Sequence, residues 1–121
     1  MLGDLGVPTF AYVNGTALGE NSRATGLRST ATGTNATATA SYASAFGGNA
    51  HATGDYATSV GDHSQATGIQ STALGQYAFA TDTLATAIGQ GASASAANSV
   101  ALGAGSMADQ TNTVSVGAAG A

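Results

Sequence analysis

Few residues in this chain are of types that carry chemistry, and their spacing limits what they can do. Asp55, Asp62, Asp82 and Asp109 are the raw material of a calcium site. A calcium-binding roll stacks its carboxylates in one column so that several oxygens converge on each ion. Against the repeat set out below, these aspartates fall in four different columns, so no metal ladder is expected. His51 and His63 lie in neighbouring repeats but in different columns, and read as surface or turn histidines instead of a ligand pair. Serine is abundant, yet no nucleophile turn of the G-x-S-x-G kind occurs. The glycine pairs Gly89/Gly91 and Gly103/Gly105 are not followed by a helix, so they are turn residues and not a dinucleotide loop. Tyr42, Tyr56 and Tyr77 stand at or beside turns, where a ring shields loop backbone or stacks on a sugar or peptide. No catalytic, cofactor-binding or metal residue is expected, and the chain does not read as an enzyme.

What must be positioned is therefore a surface. Gly19, Gly33, Gly47, Gly61, Gly75, Gly89, Gly103 and Gly117 stand 14 residues apart without an insertion. A fixed period over almost the whole chain marks a repeat array, in which function is carried by a face and not by a cleft. The 121 residues make one domain by length. Only eight residues are charged and the net charge is −4. Nucleic acid is excluded as a partner, because phosphate neutralisation needs clustered Lys and Arg and the chain has only Arg23 and Arg28. Low charge with much Ala, Thr, Ser and Gly is also a disorder signature, but a disordered chain has no reason to keep a register. There is no cysteine, hence no disulfide framework or thiolate metal site. No apolar run is long enough to span a bilayer, and residues 1–15 lack a basic start and an apolar h-region. The chain reads as a segment of something longer.

The columns of the repeat give the fold. The place before each glycine holds Leu18, Thr32, Phe46, Val60, Leu74, Ile88, Leu102 and Val116, large and apolar in seven of eight cases. Two places before comes Ala or Ser; three before come Thr16, Thr30, Ser44, Thr58, Thr72, Thr86, Val100 and Val114. Five places after the glycine the residue is always Ala, from Ala24 to Ala108. Alternation of small and larger residues is the period of a strand, and recurrent Gly and β-branched residues oppose a helix. Each repeat then holds two short strands, typified by Ser99–Gly103 and Ser64–Gly68, with turns at pairs such as Gly48-Asn49 and Gln90-Gly91. The expected class is all-β, a parallel solenoid of two sheets with 14-residue turns.

Size decides which face points inward. Two sheets joined by short turns leave a thin interior that only Ala, Ser and Gly can fill. The Leu/Val/Ile/Phe column must then face out, one large side chain per turn of about 4.7 Å. Such a stripe matches or exceeds the roughly 300–600 Å² of a monomer's largest apolar patch. It predicts self-association through Leu18, Phe46, Val60, Leu74, Ile88, Val100, Leu102, Val114 and Val116. The second strand's outward places, such as Thr37/Thr39 and Gln65/Thr67, form a polar face turned to solvent, with Phe79 and Met107 as exceptions.

Residues 1–14 break the pattern. Phe10, Tyr12 and Val13 are bulky, Pro8 interrupts a strand, and the segment reads as an N-terminal cap or irregular lead. The repeats fill 15–117, and 118–121 read as a truncated lead into whatever follows.

Asn98-Ser99-Val100-Ala101-Leu102-Gly103-Ala104-Gly105-Ser106 resembles the head repeat of trimeric autotransporter adhesins, the YadA-like family. Thr72-Ala73-Leu74-Gly75 and Thr86-Ala87-Ile88-Gly89 are weaker copies, and Asn112–Gly117 is similar to the last head repeat before that family's neck. The resemblance covers roughly Gly15 to Gly117. It implies a left-handed parallel β-roll assembled as a homotrimer. It further implies a passenger domain on the bacterial cell surface, joined to the outer membrane only through a C-terminal anchor absent from this sequence. The partners it implies are host extracellular-matrix or cell-surface proteins, or other bacteria, held by multivalent binding. Thr30-Ala31-Thr32-Gly33 departs from the pattern by losing the apolar residue, which points to a locally weakened interface. The competing reading is a rigid spacer or tail-fibre segment with no ligand of its own. Ice binding needs aligned Thr-x-Thr ladders, and on the second strand only Thr37-Ala38-Thr39 supplies one.

Overall fold

A computed structural model describes residues 10–11 and 14–117. Every seventh residue turns a corner. Asn14, Asn21, Arg28, Asn35, Tyr42, Asn49, Tyr56, His63, Gln70, Tyr77, Leu84, Asn98 and Asn112 all have φ between 54° and 62°. Gly91 and Gly105 hold the same place with φ of 71° and 68°. All six asparagines of the chain sit here, because Asn tolerates the left-handed region better than other residues with a Cβ. The corners from Asn21 to Gly105 are each closed by a backbone bond across four residues: Ser22 N donates to Gly19 O at 3.2 Å, and Ser29 N to Gly26 O at 3.1 Å. A positive φ at the third of four residues is the pattern of a type II turn.

Between corners the chain is extended. Among the described residues one sheet has eight strands of three residues, from Thr16–Leu18 to Val114–Val116, and the other eight strands of two residues, from Phe10–Ala11 to Met107–Ala108. All pairs are parallel and join one turn to the next. Ala17 lies beside Ala31 and Ala31 beside Ala45; on the second sheet Ala24 lies beside Ala38 and Ala38 beside Ala52. Thr16 N donates to Ser29 O at 2.9 Å and Gly33 N to Leu18 O at 2.8 Å, so each turn hangs its backbone on its neighbour. The expected parallel solenoid with 14-residue turns is what the chain forms. Within the segment read as a cap, Phe10–Ala11 pairs in parallel with Arg23–Ala24, which extends the ladder. The remainder of 1–13, and the lead read into 118–121, lie outside the described residues.

The core is as thin as the composition requires. Every buried hydrophobic residue among those described is alanine, and Ser22, Ser29, Ser59, Ser64, Ser71, Ser99 and Ser106 fill the rest. A buried hydroxyl needs a partner, since leaving one unpaired costs about 1–3 kcal/mol. Ser59 and Ser64 bond each other at 2.7 Å across the interior, and Ser29 Oγ donates to Gly26 O at 2.7 Å. Ser71 Oγ is the one buried side-chain oxygen left without a partner among the described residues.

The 14-residue glycine column has two causes that act together. Gly33, Gly47, Gly61, Gly75 and Gly89 have φ of 128–130°, a conformation nearly closed to other residues. A Cβ on Gly33 would also lie 2.6 Å from Gly47 O, and one on Gly61 2.6 Å from the carbonyl carbon of Gly75. From Gly19 to Gly89 each turn packs its glycine on the next and leaves no room for a side chain, whereas a Cβ on Gly103 would come no closer than 3.4 Å to Gly117 and one on Gly117 would meet nothing within 4 Å. The equivalent place at the other corner, Gly26, Ala40, Gly54, Gly68, Asp82 and Ala96, is mixed.

Candidate interaction surface

Alternation about the buried Ala/Ser column turns the large apolar column outward, as the size argument requires. Leu18, Phe46, Val60 and Leu102 are 45%, 40%, 37% and 42% exposed, while Leu74 and Ile88 are half-buried between their neighbours. Register places these side chains directly above one another: Phe46 beside Val60, Val60 beside Leu74, Leu74 beside Ile88, Ile88 beside Leu102 and Leu102 beside Val116. Val100 and Val114 share this face one column away, on the other side of the inward Ala101 and Ser115. That column carries hydroxyls in the earlier turns, from Thr16 to Thr86. The apolar surface therefore widens from one column to two over the last two turns, and Val114 and Val116 are exposed there.

The opposite sheet is polar. Thr25, Thr39, Thr53, Thr67 and Thr81 form one outward column, beside Arg23, Thr37, His51, Gln65 and Phe79. Thr67 Oγ1 reaches Thr81 O at 3.5 Å. Protruding Arg, His, Gln and Phe side chains interrupt any flat hydroxyl lattice on this face.

The corners carry ladders that residue types alone did not announce. Tyr42 and Tyr56 stack with ring centres 4.9 Å apart and planes 1° from parallel. His63 and Tyr77 stack at the other corner at 4.9 Å and 14°. The rings thus cover each other's faces, and only their edges and outermost faces are left for a sugar or peptide. Asn21 donates to Asn35 and Asn98 to Asn112, each at 2.7 Å. Leu27, Ile69 and Leu84 join the tyrosine corner as a second line of exposed apolar side chains that the sequence reading missed. The signal was available: these residues lie one turn or a multiple of it from Tyr42 and Tyr56, or next to that column.

No chemistry gathers elsewhere. His63 Nδ1 is 2.8 Å from Asp62 Oδ2, but both are exposed and no third group joins them. His51 lies on a strand of the polar sheet, away from His63 at a corner. No cavity and no cluster of three metal-ligating side chains occurs among the described residues. What the molecule offers is flat surface: one apolar stripe, one polar sheet and two laddered corners.

Comparison with known families agrees with this geometry. The YadA head domain repeat, a family unit of two copies, matches seven overlapping windows: residues 13–36, 24–50, 38–64, 52–78, 66–92, 80–106 and 94–119. Successive windows advance by about one turn, so the family's repeat is the structural turn. No curated protein matches the chain. With its family match running unbroken from residue 13 to 119 on a parallel solenoid of the matching period, the chain belongs to the YadA head-repeat family.

Proposed function

We propose that this chain is the head of a bacterial surface adhesin. It works as a homotrimer of left-handed β-rolls that attaches to host extracellular matrix, host cells or other bacteria. The family is trimeric in general and suggests an adhesin-type role. The observation that carries the reading for this chain is the outward stripe from Leu18 to Val116, unbroken except at Thr32. Burying a large apolar side chain contributes roughly 1.5–3 kcal/mol, and the Ala/Ser interior offers few such side chains of its own. Assembly along the stripe supplies what the core lacks. It also gives the mechanism, because three copies on one rod present the same weak contact three times and avidity strengthens it. The polar sheet and the corners then face outward to the ligand. An anchor to the outer membrane would lie in sequence C-terminal to this chain.

Leu74→Asp tests the reading. It places one carboxylate per copy in the middle of the stripe, where burial without a partner costs several kcal/mol. Loss of the trimer together with loss of adhesion to matrix-coated surfaces is expected. An intact trimer with unchanged adhesion would overturn the assignment.

A further inference from the structure

Thr32 stands in the apolar stripe between Leu18 and Phe46, in register with both. It alternates with the buried Ala31 and so presents its hydroxyl and methyl outward, half-buried. Among the described threonines only the Thr37, Thr67 and Thr113 hydroxyls find partners in their own chain, and the others are left to solvent; what sets Thr32 apart is its place in the apolar stripe. The Thr32 hydroxyl bonds to none of the described residues; solvent reaches it on a single chain, and once the stripe is covered a partner must come from another copy.

The rest of the stripe has a weakness that Thr32 answers. Turns repeat every 14 residues, and Val60, Leu74, Ile88, Leu102 and Val116 are all aliphatic. One copy could slide past another by a single turn, about 4.7 Å, and still lay aliphatic side chains on aliphatic side chains. In this column the slide would lose only one layer of overlap. Phe46 differs from its neighbours in size but not in polarity, and its ring can lie over the methyls of Thr32 or Val60 in either setting. Within this column only Thr32 changes the chemistry of a layer.

We propose that Thr32 is the register-setting residue of the assembly. This rests on the trimeric reading above. With the copies level, three Thr32 hydroxyls meet in one layer and close a ring in which each O–H donates to the next oxygen. A copy displaced by one turn puts its hydroxyl against Leu18 or Phe46 of its partners, buried and unpaired. A stranded hydroxyl lowers the population of the slipped form by about tenfold. A single polar layer in an apolar seam fixes alignment in coiled coils in the same way, with some loss of stability.

Disulfide trapping reads the register directly, because the chain has no cysteine of its own. Leu74→Cys chains and mass-tagged Ile88→Cys chains are co-refolded and oxidised. Level copies give like-with-like disulfides. A copy displaced by one turn brings 74 level with 88, whereas in level copies that pair is offset by about 4.7 Å along the stack, so the mixed fraction rises with the slipped population. In the Thr32 background like pairs should dominate. With Thr32→Val, which keeps the shape and removes the hydroxyl, mixed pairs should rise several-fold while thermal stability of the trimer increases. Thr32→Ser should keep the like-with-like pattern. A trimer whose mixed fraction is unchanged by Thr32→Val would overturn the register role alone. Chains that remain monomeric without any substitution would overturn the assembly and the register role with it.

Discussion

Gly61 and Gly91 both stand at corners with positive φ, 130° and 71°, yet they are glycines for different reasons. A Cβ on Gly61 would meet the carbonyl of Gly75 at 2.6 Å, whereas one on Gly91 would meet nothing within 4 Å. Gly61→Ala should therefore cost about 2–3 kcal/mol or more, because strain and backbone overlap act together. Gly91→Asn should be neutral or stabilising by up to about 1 kcal/mol, since it keeps a tolerated conformation and restricts the unfolded chain. Thermal unfolding followed by circular dichroism separates the two. The first kind of glycine was legible in the sequence as a period of 14. The corner residue, two and nine places after each of these glycines, was not, because the left-handed site accepts Asn49, Tyr56, His63, Gln70 and Leu84 alike. Stacking explains part of that tolerance, as the Tyr42–Tyr56 and His63–Tyr77 pairs recover contact energy at a strained place.

At the scale of the strand, the decisive feature is how little space lies between the sheets. Ala80 is fully buried and pairs with Ala66 and Ala94, themselves fully buried. No cavity opens among the described residues to take a larger side chain. Ala80→Leu should destabilise by about 1–3 kcal/mol or more through overpacking. Thr81→Leu, one residue on and exposed, should stay within about 0.5 kcal/mol. Equal effects in a denaturant titration would mean that the interior is not the tight Ala/Ser layer described. The same thinness is why the outward direction of the stripe could be read without coordinates. Phe46 and Leu74 do not fit between such sheets, so alternation had to expose them. The half-turn repeat was hidden because Ala40, Asp82 and Ala96 replace glycine at the second corner. The Leu27, Ile69 and Leu84 line was hidden with it, since only the corner period brings these residues to one edge.

The whole molecule is a stack in which each turn touches only its neighbours, so no single side chain holds it together. Its interior supplies many small burials, and its large apolar side chains lie outside. A monomer with a line of Leu, Val, Ile and Phe along one face has left much of its available stabilisation unused. The proposed self-association along that face would join the fold to the proposed function, because a stiff trimeric rod would make weak repeated contacts add. The molar mass in solution, from light scattering coupled to size exclusion, tests this most directly. The proposed trimer predicts a single species at three times the 11.5 kDa chain mass, unchanged on dilution through the micromolar range. A stable species at the mass of one chain would contradict it.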